Sequence, residues 1–186
     1  MPSTISRTVQ ELQELLVHKD EVILALEKEN VALKNENKAL KMQIEFARGV
    51  PVEELIKEWT EGTRMNYKDS HDVTTKNDTR LEVKYSKVHT LKDTTTKRWV
   101  WDSILGQNET KEFDYLVLAG SKNPRYEYPD LPYVFFVVPR IAVNGITSRG
   151  NCIALNTNLR TVRAPKAAML WCYLVRSQNE FEKFKS

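Results

Sequence analysis

From Val9 to Ile44 an apolar residue returns every seven positions. Leu12, Leu26, Leu33 and Leu40 fall at heptad position d, with Val9, Leu16, Ile23, Asn30, Asn37 and Ile44 at a, and only Lys19 interrupts the d series. No Pro or Gly enters until Gly49 and Pro51, which predict the end of the helix. A repeat of this length predicts a coiled coil rather than a single amphipathic surface helix. Asn at a pairs best with Asn at the same level of a parallel partner, fixing register and a two-stranded state, and Asn30 and Asn37 supply it twice. In that arrangement Glu29 at g meets Lys34 at e of the partner, and Glu36 meets Lys41, so both pairs attract. Nearer the start, Leu15 and Val22 at g and Val17 and Leu24 at b widen the apolar face, which leaves a tetramer open beside the homodimer.

After Pro51 the period changes. Val52, Leu55, Ile56 and Trp59 share one face of a short helix. Asp72 to Thr75, a Lys-Asn-Asp-Thr turn and Arg80 to Ser86 read as a hairpin, with Leu81, Val83 and Tyr85 alternating against Glu82, Lys84 and Ser86. Trp99 to Gly106 reads as a short helix or aromatic packing segment. Phe113 to Gly120 and Tyr133 to Pro139 are continuous apolar runs of strand length, suited to the centre of a sheet covered on both faces. Ala164 to Val175 is helical in pattern, with Pro165 in its first turn. The division expected is a dimerisation helix over 1–50 and a folded domain over 51–186.

Composition narrows the class. The chain has 186 residues, of which 28% are charged and 41% hydrophobic, the balance of a folded soluble protein. No apolar run approaches the ~20 residues of a membrane helix, and no secretory signal pattern opens the chain, so a cytoplasmic protein is expected. Cys152 and Cys172 form no CxxC and the three histidines are scattered, which disfavours a zinc site. Charge is unevenly divided. Residues 1–50 carry seven Lys/Arg and eight Asp/Glu, residues 51–130 thirteen and fifteen, and residues 131–179 six and none. That last stretch, with Arg140, Arg149, Arg160, Arg163, Lys166 and Arg176, suits a surface facing polyphosphate. No GxxxxGK[ST] loop appears, so a nucleotide cofactor is not expected. Only Arg7 precedes the heptads, which disfavours a basic-region zipper.

The hairpin carries the candidate chemistry. Asp72 opens one strand, while Glu82 and Lys84 project from one face of the other. Two carboxylates held close repel unless a cation lies between them, and a hard divalent ion with oxygen ligands and retained waters, Mg²⁺ above all, answers that need. The neighbouring ammonium can position a water and offset charge on a transferring phosphate.

In order, a helix, a hairpin bearing D-x9-E-x-K, a buried Asp-Tyr-Leu-Val-Leu strand and another buried strand, residues 51–140 resemble the PD-(D/E)xK nuclease superfamily. His71-Asp72 stands where the family has Pro-Asp, and Glu82-Val83-Lys84 where it has (D/E)xK. The resemblance implies a restriction-endonuclease-like α/β/α sandwich around a central mixed sheet, an α/β fold. It also implies Asp72 and Glu82 as metal ligands and Lys84 beside the attacking water. Many members add a Glu from the first helix, and Glu54 is expected to take that part in preference to Glu53, Glu58 and Glu61. Mg²⁺ is the expected cofactor, with Mn²⁺ able to substitute.

Lys97 and Arg98, in a basic run between the hairpin and the next core segment, and Lys166 are candidates for DNA contact. So are Asn156, Asn158, Arg160 and Arg163, whose amides and guanidiniums suit phosphates and major-groove edges. The expectation is a homodimeric Mg²⁺-dependent endonuclease on double-stranded DNA, of the type II restriction kind, each protomer cutting one strand. The alternatives are a structure-specific phage or repair nuclease, and a non-catalytic DNA-binding scaffold on the same fold.

Overall fold

The computed structural model describes residues 4–47, 49–66, 68–92, 94–106, 110–148, 151–158 and 164–186. Its contacts divide the chain into two units, residues 1–45 and residues 46–186. The first is carried by α1 (Thr4–Ala47), a helix of 44 residues that no Pro or Gly interrupts and that is about 66 Å long at 1.5 Å per residue. Leu16, Ile23, Leu26, Leu33, Leu40 and Ile44 of its heptad seam are all exposed, between 44% and 60%. No helix among the described residues is long and apolar enough to cross a membrane.

The second unit begins with α2 (Val50–Trp59), entered through Gly49. Gly49 has φ of 82°, which a side chain would resist, and an added Cβ there would lie 3.1 Å from Tyr85 Cβ. Pro51 sits in the first turn of α2, and Val52, Ile56 and Trp59 are buried. There follow β1 (Thr63–Arg64), β2 (Val73–Thr74), β3 (Arg80–Ser86), β4 (His89–Thr90), β5 (Lys97–Trp101), β6 (Tyr115–Gly120) and β7 (Val134–Pro139). Then come α3 (Arg140–Ile146), β8 (Ile153–Asn156), α4 (Pro165–Trp171) and a 3₁₀ helix, Gln178–Phe184.

Five strands form a mixed sheet in the order β1-β2-β3-β6-β7, with β3 and β6 parallel and the other pairs antiparallel. Its central strands bury both faces, as their unbroken apolar runs require. On one side Val117, Ala119, Phe135 and Val137 pack with α2 and with Phe181 and Phe184 of the 3₁₀ helix. On the other, Leu116, Leu118, Phe136 and Val138 pack with Trp99, Trp101, Leu155, Val143 and Leu170.

That second layer corrects two expectations. Residues from Trp99 onward do not form a helix: Lys97–Trp101 is a strand of a separate three-stranded sheet, β4-β5-β8. Trp99 and Trp101 are two residues apart and both buried, so the period is that of a strand. The layer over this face is therefore a small sheet with two short helices, rather than the helical layer of a simple α/β/α sandwich. Each indole also donates one hydrogen bond to the main sheet, Trp99 Nε1 to Ser121 O at 2.8 Å and Trp101 Nε1 to Ala119 O at 2.9 Å. The second correction concerns the C-terminal helix, which stops at Trp171 instead of reaching Val175. Beyond it Val175 N–H donates to Phe135 O, and Tyr173 O accepts from Val137 N–H, so the chain pairs with the open edge of β7. An edge strand with unpaired backbone groups favours such an extended neighbour over another helical turn.

The contact between the two sheets is tight at Gly120, where an added Cβ would lie 2.5 Å from Trp99 Nε1 and 2.6 Å from Cε2. Gly120→Ala is expected to destabilise the fold by about 2–3 kcal/mol, since a rigid indole must shift and release its hydrogen bond to Ser121. Urea unfolding of wild type and variant checks this, and equal midpoints would contradict it.

Candidate active site

β2 is two residues long, and its brevity shapes the site. Its ladder with β3 ends where Asp72 N–H donates to Leu81 O at 3.0 Å. The next donor along β3, Val83 N–H, is taken by the Asp72 side chain, whose Oδ2 accepts it at 2.8 Å. A carboxylate thus continues the strand pairing where backbone no longer does, and this fixes Asp72 against the middle of β3. His71 lies just before it, buried, its ring bonded to Ser70 Oγ at 3.2 Å and to Thr74 Oγ1 at 2.7 Å. Burial, reinforced by the charge of Arg80, lowers the His71 pKa.

Glu82 and Lys84 project from the face of β3 opposite Leu81 and Val83, in register with Leu116 and Leu118 of β6. The Glu82 side chain has no exposed surface, and apart from two lysine ammoniums no donor among the described residues reaches its oxygens. What compensates its charge is ionic. Lys84 Nζ lies 2.7 Å from Oε1, and Lys111 Nζ lies 3.1 Å from Oε2 and 3.7 Å from Asp72 Oδ1. Burial, and secondarily the charge of Asp72, raises the Glu82 pKa, against the pull of Lys84 and Lys111. Burial pushes the Lys111 ammonium down, but Asp72 and Glu82 outweigh it, and the net shift is upward.

The structure therefore brings together Asp72, Glu82 and Lys84, the three residues of the hairpin pattern. Lys111 is an addition that sequence reasoning missed, because it stands between unpatterned residues of a loop and only the fold carries it to the hairpin. On α2 the structure places Glu54 and Glu53 differently. Glu54 is turned to an ion pair with Lys57 and another with Arg64 at 3.3 Å. Its pKa is lowered chiefly by the bond from Lys57, and no charge of the hairpin figures among the causes. Glu53 is the carboxylate that senses the site. Burial raises its pKa, Asp72 adds to the rise, and Arg64 and Lys84 oppose it. Arg64 Nε holds Glu53 Oε2 at 2.7 Å. The α2 pattern could have distinguished the two, since Glu53 follows buried Val52 and lies three positions before buried Ile56, whereas Glu54 belongs to the outer face.

Among the described residues no three His, Cys, Asp or Glu side chains converge closely enough to enclose a metal ion. The donor chemistry still fits a hard cation. Two buried carboxylate oxygens, compensated among the described residues only by ammoniums and set beside a second carboxylate, suit an ion that takes one or two protein carboxylates and keeps several waters, as Mg²⁺ does.

The candidate DNA-contact residues do not form one group. In the small sheet His89 pairs with Arg98 and Arg98 with Asn156, so these three side chains form a row on one face, opposite the buried tryptophans. Lys97 alternates to the tryptophan side. Thr157 is buried and accepts from Asn123 Nδ2 at 2.9 Å, while its carbonyl accepts from Tyr128 OH at 2.6 Å, which pins the end of β8. Burial pushes the Tyr128 pKa up to about 12. Asn156, just before it, is exposed, and Asn158 follows it. Lys166 Nζ donates to Thr147 O at 2.5 Å and so ties α4 to the end of α3. Arg160 and Arg163 lie outside the described residues.

No protein-family model and no curated protein matches the chain. Among solved structures a bacterial homing endonuclease, I-Ssp6803I, is similar at 19% identity over 72% of this chain and 86% of that one, with a TM-score of 0.41. So low a score carries no argument about chemistry.

The raised pKa of Glu53 has a definite sign in stability. The folded state holds the Glu53 proton more tightly than the unfolded chain, whose carboxyl titrates near 4.5. Its favourable contribution is therefore complete below that pH and is lost as pH rises through the folded pKa. Glu53→Gln mimics the protonated form at every pH. In EDTA its melting temperature is expected to match wild type near pH 4 and to exceed it once the pH has risen through the folded pKa of Glu53. A difference independent of pH would contradict the burial of this carboxyl.

Proposed function

We propose that the chain is a Mg²⁺-dependent endonuclease of PD-(D/E)xK type, hydrolysing phosphodiester bonds in double-stranded DNA as a homodimer. The observation that carries this reading is the Glu82 carboxylate, buried without exposed surface, met among the described residues only by lysine ammoniums and set beside Asp72 and Lys84. A fully enclosed carboxylate is costly as a structural feature even when lysines compensate it, and such buried charge clusters are enriched at functional sites.

In this reading Asp72 and Glu82 hold the cation, which supplies Lewis acidity toward a phosphoryl oxygen and toward water. Asp72 is oriented for this by Val83 N–H, which occupies Oδ2. Lys84, about a quarter exposed with its ammonium on Glu82 Oε1, stands at the rim of the site. There it donates to the attacking water and offsets charge accumulating on the phosphate oxygens. Glu53 takes the part expected of Glu54: held through Oε2 by Arg64, it adds a third carboxylate to the water network around the site.

The row His89, Arg98 and Asn156 offers an imidazole, a guanidinium and an amide at one level across three strands. Arg and Asn are the side chains that read guanine and adenine edges bidentately, so this face is the proposed base-reading surface. Its sheet is fixed to the catalytic sheet through Trp99 and Trp101, which couples the position of a bound duplex to that of the carboxylates.

The exposed seam of α1 is assigned to a second copy of the chain in parallel. Asn30 and Asn37 supply the register, and Glu29 with Lys34 and Glu36 with Lys41 supply the attraction. A pair of sites related by a two-fold axis matches two antiparallel strands.

Digestion of unmethylated phage-sized DNA, with Mg²⁺ and with EDTA, tests the activity. Wild type is expected to give discrete Mg²⁺-dependent fragments, while Lys84→Ala loses about 10²-fold or more in rate yet still binds DNA. Cleavage by Lys84→Ala at the wild-type rate would refute the assignment, and binding without cleavage by wild type would favour a scaffold. Light scattering tests the assembly: a mass twice 21.6 kDa is expected for wild type, and Leu26→Asp with Leu33→Asp is expected to give the monomer.

A further inference from the structure

One charged group in the site has no part in the reading above. Lys111 Nζ is surrounded by oxygen: Glu82 Oε2 at 3.1 Å, Asp69 O at 3.5 Å and Asp72 Oδ1 at 3.7 Å. Two carboxylates and a main-chain carbonyl are a hard-cation ligand set, yet the cation among them is an ammonium from the chain itself.

We propose that Lys111 is a resident counter-cation: in the metal-free protein its ammonium holds the place between Asp72 and Glu82 that a divalent cation takes, and metal binding displaces it. The inference rests on the metal site proposed above. Several observations favour displacement over shared occupancy. A Mg²⁺ ion lies about 2.0–2.1 Å from its oxygens, so an ion bridging these two carboxylates would stand well inside the contact distance of the ammonium and carry the same sign. Lys84 has no such conflict, because it engages the other oxygen of Glu82. Of the two lysines, only Lys111 spans both carboxylates.

The mounting of Lys111 suits a side chain that swings on a fixed backbone. Its N–H donates to Leu105 O at 3.1 Å and the next N–H, of Glu112, donates to Ser70 O at 3.1 Å, so the main chain is held on both sides. The stem packs over Gly106, where φ is 73° and an added Cβ would lie 2.8 Å from Lys111 Cγ. A four-carbon stem with several rotatable bonds can then withdraw the ammonium while the backbone stays. The gain for the empty site is plain. Without Lys111 the buried carboxylate of Glu82 would face Asp72 with Lys84 as its sole compensation among the described residues. The consequence for the loaded site is a threshold, since a cation must outcompete a tethered positive charge before it binds.

The test uses the full-length protein without DNA. Mg²⁺ titration by calorimetry is expected to show Lys111→Gln binding about tenfold or more tightly than wild type, the scale of removing one close like charge. Because that variant could lose its fold in the absence of metal, wild type is also acetylated at lysine with and without saturating Mg²⁺ and read by mass spectrometry. Modification of Lys111, normalised to exposed Lys122, is expected to rise several-fold with Mg²⁺. Equal or weaker affinity in the folded variant, or a Lys111 that Mg²⁺ leaves as protected as before, would overturn the proposal. Cleavage is not a readout here. A protein that releases Lys111 to Mg²⁺ but cuts no DNA refutes the nuclease reading alone. One that cuts while Lys111 stays protected refutes this inference alone, and absence of Mg²⁺ binding refutes both.

Discussion

The charge of Glu82 must be compensated inside the protein, because its side chain reaches no solvent. Leaving a carboxylate alone in such a place would cost several kcal/mol or force it to protonate. The surrounding architecture can be understood as the means of keeping it charged. Lys84 arrives from two residues along the same strand, and Lys111 from a loop held between Leu105 and Ser70. Asp72, which would otherwise repel it, is held by its own N–H on Leu81 O and by accepting Val83 N–H.

The same constraint explains the form of the sheet. A full-length β2 would have paired its own backbone with Val83 and left no place for a side chain there. By beginning only at Val73 it leaves the edge of β3 beyond Leu81 open to the Asp72 side chain, while β6 completes the ladder on the other side. The parallel pairing of β3 with β6 also buries the face that bears Glu82 against a neighbour carrying Leu116 and Leu118. Burial of the carboxylate is therefore a result of topology, not of local sequence. Trp99 and Trp101 extend the effect outward, since their indoles fill the space over β6 and bond to Ser121 and Ala119, fixing the small sheet in place.

Helix α2 shows how one residue of offset changes a role. Glu53 and Glu54 are adjacent and chemically the same, but successive side chains on a helix diverge by about 100°. Val52 and Ile56 turn the inner face toward the sheet, which carries Glu53 toward Asp72 and leaves Glu54 with Lys57 and Arg64. Arg64 from β1 touches both, so it joins the helix to the edge of the sheet next to the site.

By itself the sequence determined the elements whose signal is periodic and local. The heptads of α1, the α2 face, the alternation of Arg80 to Ser86 and the apolar runs of β6 and β7 all follow from spacings of two, three to four or seven residues. Asp72, Glu82 and Lys84 belong to that class because one short hairpin brings them together. The tertiary structure alone decided what depends on distant partners. It turned the Trp99 segment into a strand, because the indoles needed a second sheet to cover. It drew Tyr173 to Val175 out of the helix to the edge of β7, and it set Glu53 rather than Glu54 within the field of Asp72. Lys111 is the clearest instance: about thirty residues beyond Glu82 and in no pattern, it reaches the carboxylates only because loop and hairpin are hydrogen-bonded between Ser70 and Glu112. Local periodicity records which face of an element is apolar, but which charges meet across elements is set by packing, and packing is a property of the whole chain.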